Sequence, residues 1–303
     1  MGSKMKLALA VLCFASLYVS VAQADGGNFW DSFYCNFGDW MVRYPGDEQT
    51  SGKVVELGLD NSTGSGFRSK YPYLYGSLGM KMKLAAGNSA GVVTSFYLRS
   101  RYVNWCELDF EFLGNWTHEP VLLQTNVFSE GIGNREQRIT LWFDPSEEYH
   151  YYGIVWNEKL IKFLIDDTVI RVFYNSVDLG IPYLDYQPMH VYSSLWEADD
   201  WATCGGKRKV DWAAAPFTAS YKDFVTDACV VHPDYPNLDT CYDMLYTADY
   251  GNYTNTHLSE KEINDLKTVQ YNYLTYDYCT DVTRYNVTPP ECARNWPQYY
   301  SGQ

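Results

Sequence analysis

Between Trp105 and Gly114 the chain reads Trp-Cys-Glu-Leu-Asp-Phe-Glu-Phe-Leu-Gly, so that Glu107, Asp109 and Glu111 alternate with Leu108, Phe110 and Phe112. Period-2 alternation predicts a β-strand with the three acids on one face and the three large apolar side chains on the other. Same-face neighbours on a strand stand roughly 6.5 to 7 Å apart, so uncompensated carboxylates raise one another's pKa and weaken the strand. Residue choices that cost local stability in this way point to a site. Paired carboxylates have a known use: one attacks an anomeric carbon while the other, about 5 to 5.5 Å away, protonates the leaving oxygen of a glycosidic bond. Residues four apart on a flat strand have Cα atoms roughly 13 Å apart, so the strand must curve and the side chains must lean inward. Asp109, between the two glutamates, would hydrogen-bond the attacking carboxylate and hold its charge state. A solvent-facing strand edge is the plain alternative; the unbroken interleaving with Leu108, Phe110 and Phe112 argues against it.

The elements around this stretch are short β-like runs broken by turn residues from Asp25 to about residue 225. They include Lys53 to Leu57, Tyr75 to Leu84, Gly91 to Leu98, Val121 to Phe128, Gln137 to Phe143, Tyr149 to Trp156, Leu160 to Ile165, Val169 to Tyr174 and Met189 to Leu195. Turn signals at Asn61 to Gly64, Ala86-Gly87-Asn88, Asp144-Pro145, Asn157-Glu158 and Asp166-Asp167 recur at the spacing of a sandwich or jelly roll. The fold class is therefore all-β, a jelly-roll sandwich with a curved sheet carrying the acids. After Phe224 the texture changes. Ser259 and Glu262 form a capping box ahead of Ile263, Leu266 and Val269, which predicts a helix from about Glu260 to Gln270, and Tyr271 to Tyr278 reads as a strand. Residues 226–303 are expected to be a short helix-and-strand extension packed on the sandwich of residues 25–225.

Lys4 and Lys6, the apolar run from Leu7 to Val21 and Ala22-Gln23-Ala24 make residues 1–24 a secretory signal peptide. Gly2 would suit myristoylation, but Lys6 stands where that motif wants Ser or Thr. No later stretch is long and apolar enough to span a bilayer, so an exported, extracellular protein is expected. The chain has eight cysteines, and loss of Cys13 with the leader leaves seven in an oxidising compartment. Cys229 with Cys241 and Cys279 with Cys292 would close two short loops, although sequence alone does not fix the pairing. Cys35, Cys106 and Cys204 remain, and an odd count requires at least one free thiol. Sequons at Asn61, Asn115, Asn252 and Asn286 agree with export.

A net charge of −14 excludes nucleic acid and anionic membranes as natural partners. Aromatic residues make up 17% of the chain, with 28 Tyr and 10 Trp, which suits β-sheet propensity and also a groove in which rings stack on sugars. Five scattered histidines give no ligand spacing, so neither a metal nor another cofactor is expected. Cys106 beside Glu107 has no histidine nearby in sequence to activate it, and neighbouring carboxylates would raise its pKa.

Glu107 to Asn115, Glu-Leu-Asp-Phe-Glu-Phe-Leu-Gly-Asn, resembles the active-site signature of the plant xyloglucan endotransglucosylase/hydrolases, a retaining branch of glycoside hydrolase family 16. The likeness runs through Ser65-Gly-Phe-Arg-Ser-Lys70, Gly87-Asn-Ser-Ala-Gly91, Thr125-Asn-Val-Phe128, Gly133-Asn-Arg-Glu-Gln137, Leu141-Trp-Phe-Asp-Pro145, Tyr192 to Gly206 and Ala215-Pro-Phe-Thr-Ala-Ser220. It continues from Tyr273 through Cys279 to Pro289-Pro-Glu-Cys292. The resemblance implies that Glu107 is the nucleophile, Asp109 its electrostatic helper and Glu111 the acid/base. It implies a sugar-binding role for Trp196 and Trp201 in the cleft and for Gln124, Asn126, Gln137 and Arg138 through sugar hydroxyls. Asn115 would carry a glycan, and the C-terminal extension would lengthen the acceptor side of the groove. Core packing is the plain reading of the tryptophans; the flanking Asp199-Asp200 favours an exposed loop.

One departure stands out. The family usually has His-Asp before the nucleophile, where this chain has Trp105-Cys106. An indole and a thiol in place of two polar groups imply either compensating packing or altered donor choice. In the second case Trp105 would touch substrate, and unsubstituted cellulose or mixed-linkage β-glucan would serve as donor with xyloglucan as acceptor. The expected activity is retaining endo-transglycosylation by a monomer in the plant cell wall. The alternatives are an endo-β-glucan hydrolase and a lectin-like glucan-binding module.

Overall fold

The computed structural model of the 303-residue chain describes residues 27–47, 50–232, 238–244 and 257–294. The expected leader and the sequon at Asn252 lie outside the described residues. The strands, in chain order, are β1 (Phe33–Phe37), β2 (Val42–Arg43), β3 (Val54–Leu59), β4 (Ser65–Ser69), β5 (Tyr73–Lys83), β6 (Val92–Ser100), β7 (Glu107–Leu113) and β8 (Leu122–Phe128). They continue with β9 (Gln137–Thr140), β10 (His150–Trp156), β11 (Leu160–Ile165), β12 (Thr168–Tyr174), β13 (Met189–Glu197), β14 (Phe217–Val230) and β15 (Leu274–Asp277). The helices are α1 (Phe29–Ser32), α2 (Leu238–Met244) and α3 (Glu260–Tyr273).

The strands form two antiparallel layers. One runs β1-β4-β13-β6-β7-β8-β9-β15 and the other β2-β3-β14-β5-β10-β11-β12; a single pair, Met189 with Tyr73, joins them. This is the expected jelly-roll sandwich, with the acidic strand β7 near the middle of the first layer. Period 2 explains the core. Leu108, Phe110 and Phe112 are almost fully buried, and they meet the second layer through aromatic contacts. Phe110 lies 5.3 Å from the Phe163 ring of β11 and Phe112 lies 4.7 Å from the Tyr152 ring of β10, both edge-on. Burial of each such side chain contributes about 1.5–3 kcal/mol, which holds β7 to one register. Gly114 ends the strand for a steric reason: a methyl group there would stand 2.0 Å from the Ser89 carbonyl oxygen.

The C-terminal extension joins the sandwich as sheet and helix. β15 pairs antiparallel with β9 at the edge of the acid-bearing layer. α3 begins with the expected capping box, in which the Ser259 hydroxyl accepts from the Glu262 amide and the Glu262 carboxylate accepts from the Ser259 amide. Its buried Leu266 packs with Leu160, Val169 and Val172, and Lys162 of β11 reaches Glu262 at 2.6 Å. Disulfides join Cys229 to Cys241 and Cys279 to Cys292, while Cys35, Cys106 and Cys204 are free.

Some boundaries differ from the sequence reading. β9 stops at Thr140, three residues before Phe143, and α3 runs three residues beyond Gln270, shortening the strand that follows. β14 was not read as a strand and runs through residue 225, pairing with both β3 and β5.

Candidate active site

Cross-strand pairing decides which side chains surround the acids. Along β7, Glu107 stands between Arg99 of β6 and Phe128 of β8, Asp109 between Tyr97 and Asn126, and Glu111 between Ser95 and Gln124. Directly opposed residues in an antiparallel sheet share a face, so these rows extend outward on the same side. Gln124 is followed by Arg138 of β9, while Ser95 and Tyr97 are followed by Ser194 and Tyr192 of β13. The face opens into a cavity of about 420 Å³ lined by Phe37, Ser95, Tyr97, Arg99, Glu107, Asp109, Glu111, Ser194 and Trp196.

The two glutamates have different partners. Glu107 forms an ion pair with Arg99, whose guanidinium also lies 4.4 Å over the Trp105 ring. Glu111 accepts a hydrogen bond of 2.7 Å from the Gln124 amide, and Gln124 in turn accepts one of 2.7 Å from Arg138 Nε. Arg138 is 5.4 Å from the Tyr276 ring of β15, so the extension reaches the acid through Arg138 and Gln124. Burial raises the pKa of Glu107, opposed by the charge and hydrogen bond of Arg99. Burial also raises Glu111, opposed by the Gln124 hydrogen bond and reinforced by the charge of Glu107. Asp109 lies deepest, and burial together with its two acidic neighbours pushes it well above the usual carboxylate range. Its interaction with Glu107 raises Asp109 and lowers Glu107, the direction of a hydrogen bond from the Asp109 carboxyl to the Glu107 carboxylate. One carboxylate beside a cation and another capped by a neutral amide have the asymmetry that separates a nucleophile from a proton donor.

The other expected site residues differ in where the fold puts them. Trp196 lines the cavity; Trp201 packs beside it with ring centroids 6.1 Å apart and is not among the lining residues. Gln124 and Arg138 occupy the cleft face as described. Asn126 shares that face, but its side-chain oxygen accepts from the Val127 and Arg135 amides, which fixes the loop between β8 and β9. Gln137 corrects the sequence reading: it pairs with Thr125, which pairs with Phe110, so the period-2 alternation turns its buried side chain to the core side. Trp105 lies under Arg99, outside the lining residues, and its indole nitrogen is buried without a partner. Cys106 points into the core and burial pushes its thiol up to about 11, consistent with an inert thiol.

Sequence reasoning missed Arg99, Tyr97, Ser95, Ser194 and Phe37. Polar residues at every second position of an otherwise apolar run, Ser95 to Arg99, carried the signal, but only register shows that they face the acids. Of the sequons, Asn61 and Asn286 are exposed. Asn115 is half-buried, with its Oδ1 accepting from Arg208 and its Nδ2 donating to the Pro120 carbonyl.

Comparison with known proteins places the chain in a family. The profile of Glycosyl hydrolases family 16 matches residues 19–214, and that of the Xyloglucan endo-transglycosylase (XET) C-terminus matches residues 248–292. The chain is 45% identical over 292 residues to the Xyloglucan endotransglucosylase/hydrolase protein 9 of Arabidopsis thaliana, covering 96% of this chain and 98% of the relative. It is 49% identical over 252 residues to the Xyloglucan endotransglucosylase protein 34 of Populus tremula x Populus tremuloides, covering 80% and 82%. Its fold is similar to the crystal structure of a prokaryotic β-1,3-1,4-glucanase (lichenase) from a mouse hindgut metagenome, with a TM-score of 0.52, 23% identity and coverage of 66% of this chain and 96% of that one. With both profiles matched and the first of these relatives aligned over nearly its full length, the chain belongs to glycosyl hydrolase family 16, in the xyloglucan endotransglucosylase/hydrolase branch.

Proposed function

We propose that this protein is a secreted, monomeric, retaining endo-transglycosylase of plant cell-wall β-glucan, with a β-1,4-glucan donor such as xyloglucan and a xyloglucan acceptor. The observation that carries the reading is the differently partnered pair Glu107 and Glu111 on one strand face in an open cleft. In the first step the Glu107 carboxylate attacks the anomeric carbon, the glycosidic C–O bond breaks, and the leaving oxygen takes the proton of Glu111. The product is a glycosyl ester on Glu107, with Glu111 now ionised. In the second step Glu111 removes the proton of an acceptor hydroxyl, that oxygen bonds to the anomeric carbon, and the ester to Glu107 breaks. Two displacements retain the anomeric configuration.

Asp109 holds Glu107 through its proton, and Arg99 favours the ionised form needed for attack. Trp196, with Trp201 behind it, would stack on sugar rings, while Gln124 and Arg138 flank the acid on the side where β15 extends the layer. A well-filled acceptor side favours a sugar hydroxyl over water by raising its local concentration. The extension beyond β9 supports transfer for that reason. A glycan on Asn115 would leave one amide hydrogen for the Pro120 carbonyl.

The test is incubation of xyloglucan with a labelled xyloglucan oligosaccharide, following label in polymer and reducing ends together. Transfer yields labelled polymer with few new reducing ends. Abundant reducing ends with the label left in oligosaccharide would make the protein a hydrolase instead.

A further inference from the structure

The chain has 37 acidic and 23 basic residues, yet a row running outward from Asp109 carries an arginine with no acidic partner among the described residues. The row through Asp109 continues to Tyr97 of β6, Tyr192 of β13, Arg68 of β4 and Tyr34 of β1, all opposed in register and therefore on the cleft face. Tyr97 and Tyr192 stack face to face at 5.1 Å with their planes 9° apart, so the pair stands up from the sheet beside the acids. The Arg68 guanidinium is held between two rings, 4.8 Å from Tyr34 and 5.9 Å from Tyr192. Its Nε is buried with no hydrogen-bond partner. Arg101, two residues beyond Arg99, is exposed; burial first, and then the charges of Arg68 and Arg101, oppose protonation of His190, which is opposed to Arg99.

Neither Arg68 nor Arg101 has a carboxylate partner among the described residues. Arg43, Arg138 and Arg171 likewise form no ion pair among the described residues, so what marks Arg68 is its place in register with Asp109 and its unpartnered Nε. Arg68 is also rigid: its stacking fixes the plane in which its donors point, and a fixed fork matches a carboxylate. It lies three strand spacings from Asp109, roughly 14 Å at about 4.8 Å per strand, which places it a few sugar units from the reacting carbon.

We infer that the side of the cleft formed by β6, β13 and β4 takes a donor β-glucan that carries carboxylates, such as uronic acid substituents. The sugar backbone runs along the outer edges of Tyr97 and Tyr192, and the acidic substituents pair with Arg68 and Arg101. Arg99 stays with Glu107, so substrate charge is met by Arg68 and Arg101. This inference rests on the transglycosylase reading and names the substrate class of that site.

The experiment compares carboxymethyl-cellulose with hydroxyethyl-cellulose of matched length and substitution. Each serves as donor to a labelled xyloglucan oligosaccharide, with wild-type enzyme, Arg68→Gln, Arg68→Lys and Arg101→Gln, all checked for matching melting curves. Wild type should favour the anionic donor in kcat/KM by about fivefold at low salt, and the preference should shrink as salt rises. Arg68→Gln and Arg101→Gln should each reduce the anionic-to-neutral ratio by about threefold, with Arg68→Lys between Arg68→Gln and wild type. A ratio at or below one, or one that the variants leave unchanged, overturns the inference. Native gels containing either polymer measure binding without turnover. Stronger retardation of wild type by the anionic polymer, with no turnover of any donor, would retain the inference and remove the transglycosylase reading. Transfer from neutral donors with equal retardation in both gels would do the reverse, and equal retardation without turnover would remove both.

Discussion

Glu107 and Glu111 are the same side chain on the same strand face, and Arg99 on one and Gln124 on the other are what separate them. Burial raises both, and the Arg99 charge opposes that rise at Glu107. Replacing Arg99 by methionine removes a group that favours ionised Glu107, the proposed nucleophile, so the acid limb of kcat/KM should move to higher pH. Arg99→Lys should bring it partly back. A pH profile that does not move, with activity lowered at every pH, would give Arg99 a packing role only. The three carboxylates themselves were legible from alternation in the sequence. Arg99 was not, because it lies eight residues before Glu107 and meets it only through the β6–β7 register. The same blindness affected Trp105: in sequence it looks like a free indole beside the nucleophile, and in the fold it supports the guanidinium that grips Glu107. Gln137 failed in the opposite direction, since one step of register separates it from Arg138 and turns it to the core.

Elements with clean periodicity were the ones readable from sequence. β7 alternates without a break and α3 carries its capping box and its apolar stripe, so both were visible. β14 was hidden because its pairing with β5 shifts between Lys222 and Val225, where Asp223 adopts φ 52°. That bulge puts two alternating runs out of phase, and the apparent change of texture after Phe224 falls on it. β1 and β4 are five residues each, too short for a pattern to show. The capping box of α3 offers a direct check at this scale. Ser259→Ala leaves the Glu262 amide without its side-chain acceptor and should lower unfolding free energy by about 1 kcal/mol in denaturant melts. An unchanged midpoint would mean that packing of Leu266 on β12 alone holds the helix.

Across the whole molecule the extension continues one layer of the sandwich. β15 completes the acid-bearing layer, Arg135 pairs with Glu291 at 2.7 Å where both are buried, and Cys279 is bonded to Cys292. With 13 residues separating its ends, that disulfide should contribute about 3 kcal/mol. The Cys279→Ala/Cys292→Ala double variant should therefore melt earlier and, on the proposal that β15 extends the acceptor side, lose transfer before it loses hydrolysis. Equal loss of both activities would separate the extension from acceptor binding. The central claim is that a glycan is carried as an ester on Glu107 between two displacements. Its most direct test is peptide mapping by mass spectrometry of Glu111→Ala enzyme mixed with an activated glycosyl fluoride of the donor sugar, whose leaving group needs no proton. The account predicts one added glycosyl group on the peptide containing Glu107; a group carried on any other residue would contradict it.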